Sequence, residues 1–148
     1  MKLDVFIDIN NLYFSLRDMH DAKVNYPALL ERITELGEIQ HCEAYGSKKS
    51  FNHNFALMLK RCGIEAVFEG NYNKSTVLSI SMLKSNADII VLCSNNDALI
   101  PVIKEVPQRV ILFACNISKR LEKVAYQSFQ ISEDLWIRKP CSPATLSG

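Results

Sequence analysis

The sequence predicts an α/β protein: a three-layer sandwich whose central, mostly parallel sheet has five to six strands. Three observations carry this. Short apolar runs alternate with segments of helical period along the whole chain. Two of those runs, Ile89 to Cys93 and Val110 to Cys115, are apolar at every position. That is the pattern of strands covered on both faces, as in a parallel sheet. Finally, 48% of the residues are hydrophobic and 22% charged, which suits one globular domain of 148 residues.

Taken in order, Leu3 to Ile9 reads as the first strand, and Asn10 to about His20 as a helix with Leu12, Leu16 and Met19 at helical spacing. Asn25-Tyr26-Pro27 reads as a helix start, with asparagine as cap and proline in the first turn. Leu29, Leu30, Ile33 and Leu36 form its apolar stripe, and Gly37 ends it. His41 to Tyr45 is the second strand, Phe51 to Cys62 a helix and Ile64 to Phe68 the third strand. Ser75 to Leu83 reads as a helix, Ala87 to Cys93 as the fourth strand and Asp97 to Val106 as a helix. Arg109 to Cys115, Ser118 to Gln127 and Phe129 to Ile131 close the pattern as strand, helix and short strand. A single domain is expected over residues 1–138, with an extended tail at 139–148 that carries two prolines and little apolar content.

Composition excludes several classes. No apolar run approaches the ~20 residues a bilayer requires, so no membrane partner is expected. Five scattered cysteines, never in a C-x-x-C pair, argue against zinc and against a disulfide framework. With an N-terminus that lacks a signal-peptide pattern, they point to a reducing, cytoplasmic setting. No phosphate-binding glycine loop follows any strand. Seventeen basic residues nearly balance sixteen acidic ones, so any attraction for a polyanion must come from placement of charge rather than its total.

In open parallel sheets, ligands bind beyond the carboxyl ends of the strands. There this chain places Asp8, Asn10 and Asn11; Ser47, Lys48 and Lys49; Glu69, Asn71, Asn73 and Lys74; Ser94, Asn95, Asn96 and Asp97; and Asn116, Ser118, Lys119 and Arg120. A carboxylate from each of two loops is what a hard cation such as magnesium seeks. Basic side chains from separate loops suit a phosphodiester backbone. Each feature also has a plain reading. Asp8 stands where a helix cap or turn former stands, Asn95-Asn96-Asp97 reads as a turn plus a helix cap, and paired basic residues are commonly solvated surface.

Val5-Phe6-Ile7-Asp8-Ile9-Asn10-Asn11-Leu12 resembles the opening motif of NYN domains, a PIN-like nuclease branch that includes LabA-like proteins. In it, a strand ends in aspartate and asparagine follows three positions later. Ala44-Tyr45-Gly46-Ser47, the helix ending near Gly63, and the stretch from Ile89 through Asn96-Asp97 to Ile103 resemble later family elements. The resemblance spans about residues 3 to 135. It implies a PIN-like, Rossmann-like fold and RNA cleavage assisted by magnesium or manganese. On it, Asp8, Asn11, Asn96 and Asp97 would form the catalytic centre, and Asp8, Asn96 and Asp97 would hold metal. Lys48, Lys49, Lys74, Lys119 and Arg120 would grip phosphates.

The chain also departs from the motif. The family's acids fall on Asn96 and Ala98, and two more on Ser75 and Ser81, while Asp97 occupies the variable position between the first two. Two expectations follow. One is a divergent metal-dependent ribonuclease; the other is a catalytically degenerate domain that binds RNA or a protein as a regulatory module. A third, phosphotransfer on the D-x-D pattern of haloacid-dehalogenase-type phosphatases, lacks its second acid at Asn10. The tail and the exposed side of the first helix, with Tyr13, Phe14 and Arg17, would suit a homodimer or a protein partner, although aromatic residues near a strand end are more often core.

Overall fold

The computed structural model describes residues 1–68 and 74–138. In chain order, the elements are β1 (Lys2–Asp8), α1 (Ile9–His20), β2 (Ala22–Val24), α2 (Tyr26–Thr34), β3 (Glu38–Gly46), α3 (His53–Arg61) and β4 (Glu65–Phe68). They continue with α4 (Lys74–Leu83), β5 (Ile89–Cys93), α5 (Ile100–Glu105), β6 (Arg109–Ala114), α6 (Lys119–Val124), β7 (Gln127–Gln130) and β8 (Trp136–Arg138). Single 3-10 turns at Lys48–Ser50, Asp97–Leu99 and Glu133–Leu135 connect them.

Six strands form one sheet in the order β4-β3-β1-β5-β6-β7, and every adjacent pair is parallel. Apolar side chains alternate between the two faces, as the strand period requires. Leu3, Val5 and Ile7 of β1 point to one face, where they meet Leu12 and Leu16 of α1, Leu29 and Ile33 of α2 and Leu59 of α3. Phe6, Ile90, Leu92 and Leu112 point to the other, against Leu78 and Met82 of α4, Val102 and Ile103 of α5 and Leu121 of α6. This is the three-layer architecture that the sequence predicts. Leu12 and Leu16 are fully buried; truncating either to alanine removes about 2–5 kcal/mol of packing.

Several element bounds differ from expectation for local reasons. β3 runs from Glu38 rather than His41, because Glu38 and Ile39 already pair with Lys2 and Leu3 of β1 through the backbone. The helix expected from Asp97 divides into a 3-10 turn and α5, with Pro101 in the first turn of the latter. The helix expected to reach Gln127 stops at Val124, and β7 begins at Gln127. α2 starts as predicted, with Asn25 Oδ1 accepting from Ala28 N at 3.2 Å, but it ends at Thr34. Gly37 lies in the crossing to β3, where a Cβ would stand 2.5 Å from the Met1 carbonyl oxygen. A second small sheet, the antiparallel pair β2 and β8, has no counterpart in the sequence reading. The tail at 139–148 lies outside the described residues. Among the described residues, no helix is long and apolar enough to cross a membrane.

Candidate functional site

The chain lays β3 and β4 on one side of β1, then crosses over to lay β5, β6 and β7 on the other. The carboxyl ends of β1 and β5 therefore flank the topological switch point, where the diverging connections leave a crevice. A cleft of about 290 Å³ opens there, lined by Asp8, Asn10, Asn11, Phe14, Ser15 and Asn96. A second groove of about 320 Å³ lies lower on β1, around Asp4, His41, Glu43, Ser81, Lys84 and Ser85. In it Asp4 is buried and satisfied, accepting from Ser85 Oγ at 2.6 Å and facing His41 Nδ1 at 3.0 Å.

Asp8 ends β1 and caps α1 with no intervening loop. Its Oδ1 accepts from Asn11 N at 3.3 Å and its Oδ2 from Ser94 Oγ at 3.0 Å. Only 7% of Asp8 is exposed, and Ser94 is wholly buried. Ser94 Oγ in turn accepts from Asn96 N at 3.1 Å. A strap of amides then ties three loops together. Asn11 Oδ1 accepts from Asn95 N at 2.8 Å, and Asn95 Oδ1 accepts from Ser118 N at 2.7 Å. On the other side, Ser50 Oγ bonds Asn10 Oδ1 and meets Ser47 Oγ at 2.9 Å, which fixes the turn carrying Lys48 and Lys49 beside the cleft. Gly46 permits this closeness: a Cβ there would crowd the Phe51 ring at 3.1 Å.

The structure brings together Asp8, Asn11 and Asn96 of the expected centre. It does not bring in the Asp97 carboxylate. Asp97 Oδ1 accepts from Ser118 Oγ at 2.8 Å, and Oδ2 lies 3.8 Å from an Arg120 guanidinium nitrogen. Asn96, not Asp97, caps the following turn, with Oδ1 accepting from Ala98 N at 3.0 Å. Lys48 and Lys49 are exposed on the β3 side of the cleft, and Lys119 and Arg120 on the β6 side. Lys74 opens α4; its side chain, like Glu69, Asn71 and Asn73, lies outside the described residues. Ser75 is the second residue of the same helix, whereas Ser81 lines the lower groove and hydrogen-bonds the Tyr45 hydroxyl. Ser94, Asn95 and Ser118, which the sequence places at the carboxyl edge of the sheet without a role, are structural members of the site.

The donor set fits a magnesium or manganese ion poorly. Such an ion takes about six oxygen ligands, with carboxylates preferred. Among the described residues, Asp8 is the cleft's carboxylate, and both its oxygens already accept hydrogen bonds. The side-chain oxygens of Asn10, Asn11 and Asn96 are likewise engaged. No group of three or more His, Cys, Asp or Glu side chains among the described residues is placed to hold a metal ion. The buried cysteines are no ready nucleophiles. Cys42 and Cys115 are free thiols, pushed up by burial to about 12 and about 11, and burial likewise raises Cys93.

A model of the NYN domain matches residues 2–132. The chain belongs to the NYN domain family. A crystal structure of a protein of unknown function from Vibrio parahaemolyticus superposes with a TM-score of 0.83 at 15% sequence identity, over 92% of this chain and 96% of that one. At that identity the likeness speaks for the shared fold. No curated protein matches the chain. Asp8 and Asn11, which the resemblance matches to the opening motif, stand at this cleft, and Asn96 stands where the resemblance expects an acid. The family's nuclease-like character therefore meets a cleft in which one of the expected acids is present among the described residues.

Proposed function

We propose that this NYN domain is an RNA-binding module whose catalytic centre is reduced. The observation that carries the reading is the charge distribution at the switch point. A single described carboxylate floors the cleft, Asp97 is turned away to Ser118 and Arg120, and exposed basic residues stand on both sides. A phosphodiester backbone gains from lysines and arginines at such spacing through counterion release. It is repelled by clustered acids unless a cation neutralises them. Asparagine side chains and the cleft's backbone supply neutral polar contacts that position a chain without demanding a metal.

A second reading, hydrolysis of RNA with magnesium or manganese, is favoured by one feature. Asp8 keeps the family position, buried and oriented by Ser94. A direct experiment separates the two. The purified protein and Asp8→Asn are incubated with labelled single-stranded and hairpin RNA in magnesium, manganese or EDTA, and both binding and cleavage are read. The binding reading expects retention of RNA in EDTA, equal or tighter for Asp8→Asn, with intact RNA throughout. Metal-dependent cleavage that disappears in Asp8→Asn overturns it in favour of the enzyme. Failure to retain either RNA overturns it outright.

A further inference from the structure

Phe14 is a large apolar ring at the mouth of the cleft, and it is 46% exposed. Tyr13 beside it is 43% exposed and meets the Phe14 ring edge-on, with centroids 5.3 Å apart and planes at 76°. One turn along α1, the Arg17 guanidinium carbon lies 4.9 Å from the Phe14 centroid and 5.4 Å from that of Tyr13. Residues three and four apart share a helix face, so the three side chains form one surface. Asp18 holds the guanidinium from the side, accepting from Arg17 Nε at 3.1 Å. Exposed aromatic surface of this kind is informative where isolated exposed leucines are not.

We propose that Tyr13, Phe14 and Arg17 form a stacking platform for an unpaired base of single-stranded RNA, beside the cleft that receives its backbone. The proposal rests on the RNA-binding reading and names its substrate class. Every base has a π face, and aromatic rings and guanidinium planes stack on it irrespective of sequence. A base inside a duplex is already stacked and is denied to the platform. Phe14 belongs to the cleft wall together with Asp8 and Asn96, so a base on its ring leaves the attached phosphates at the polar floor and its basic flanks. A second copy of the chain is a poorer occupant. Stable interfaces bury about 800 Å² per partner, whereas two aromatic side chains supply at most ~500 Å². Exposed Met19 does not enlarge the patch, since helical geometry turns it to another side of α1.

The test uses the full chain as wild type, Phe14→Ala, Phe14→Trp and the pair Lys48→Glu/Lys49→Glu. A short fluorescein-labelled single-stranded RNA and its duplex serve as probes in EDTA, with sedimentation of each variant. Phe14→Ala is expected to weaken single-strand binding roughly 5- to 150-fold, the range one stacked base carries, and to leave duplex binding unchanged. Phe14→Trp is expected to keep wild-type affinity, and its added tryptophan emission to be quenched by the single strand. Wild-type affinity in Phe14→Ala, with binding weakened in the lysine pair, overturns the platform and leaves the RNA-binding reading standing. No binding by the wild type overturns both. A change in self-association of Phe14→Ala at unchanged RNA affinity overturns the platform in favour of an interface between copies.

Discussion

Asn11→Ala isolates the strap across the switch point. Asn11 Oδ1 accepts from Asn95 N at 2.8 Å, joining segments 84 residues apart from β1–α1 to the loop after β5. Removing the acceptor leaves a partly buried backbone donor unpaired, which costs about 1–3 kcal/mol. Alanine's better helix propensity offsets at most ~0.7 kcal/mol of this, and less in a first turn. The net expectation is a loss of about 1–2 kcal/mol, or a Tm lower by roughly 2–8 °C for a chain of this size. Urea unfolding followed through Trp136 fluorescence measures it, with the m-value unchanged. Asn11→Asp supplies the control. It keeps an acceptor for Asn95 N but adds a negative charge beside Asp8, so its deficit shrinks in high salt, whereas that of Asn11→Ala does not. A deficit below ~0.5 kcal/mol for Asn11→Ala, or one abolished by salt, would refute the reasoning and release Asn11 from a structural role.

Three further outcomes are expected. Asn96→Asp keeps the cap, since aspartate and asparagine cap about equally, and adds a carboxylate to the cleft. Manganese at 100 times its Kd then raises Tm by about 5–11 °C, the equivalent of ~2.7 kcal/mol, while the wild type does not respond; equal responses of the two proteins by differential scanning fluorimetry would refute this. Burial, then the neighbouring Glu43 charge, pushes the Cys42 thiol up to about 12, so it stays protonated in the fold after an unfolded thiol has ionised. Its contribution is complete below ~8.5 and is lost as pH rises towards about 12, by up to ~1.4 kcal/mol per pH unit; Cys42→Ala should flatten the alkaline limb of urea stability by one proton's slope, and parallel limbs would count against it. Asn25→Ala should lose about 0.5–2 kcal/mol through the α2 cap, whereas Asp134→Ala, which breaks an exposed pair with Arg32 at 2.5 Å, should change stability by less than ~1 kcal/mol in the same titration.

The sheet's centre was legible because its chemistry is local. Val5, Ile7, Ile90 and Val91 are buried on both faces of the sheet, and such strands announce themselves as unbroken apolar runs. The cap at Asn25 was legible for the same reason, since an asparagine before Tyr-Pro satisfies backbone donors within its own turn. β2 and β8 were not. Each has three residues, Lys23 and Ile137 are exposed, and the pairing of Ala22 with Arg138 spans 116 residues. What secures that pairing is tertiary: Trp136 Nε1 donates to the Ile131 carbonyl at 2.9 Å, and its ring lies 4.3 Å from that of His20. At the site, the sequence yielded which residues share the sheet edge, because strand ends fix that. It did not yield which way Asp97 turns, because the answer depends on Ser118, whose own position is set by Asn95.

That turn decides more than the fate of one carboxylate. Successive residues entering a 3-10 turn are rotated by about 120° around its axis, so Asn96 and Asp97 face different directions. Asn96 faces the cleft and carries no charge; Asp97 turns away and its charge is absorbed by Ser118 and, at longer range, Arg120. A cleft with acids at both strand ends would need a cation before it could accept a phosphate. With the acid moved one position along, the cleft keeps the buried Asp8, which is already stabilised by Ser94 and the α1 terminus. On the proposed reading, the flanking Lys48, Lys49 and Lys119 would then act on a polyanion without that intermediary. Under the proposed function, the missing motif acids and the basic rim would work together, and both would favour holding an RNA chain over cutting it.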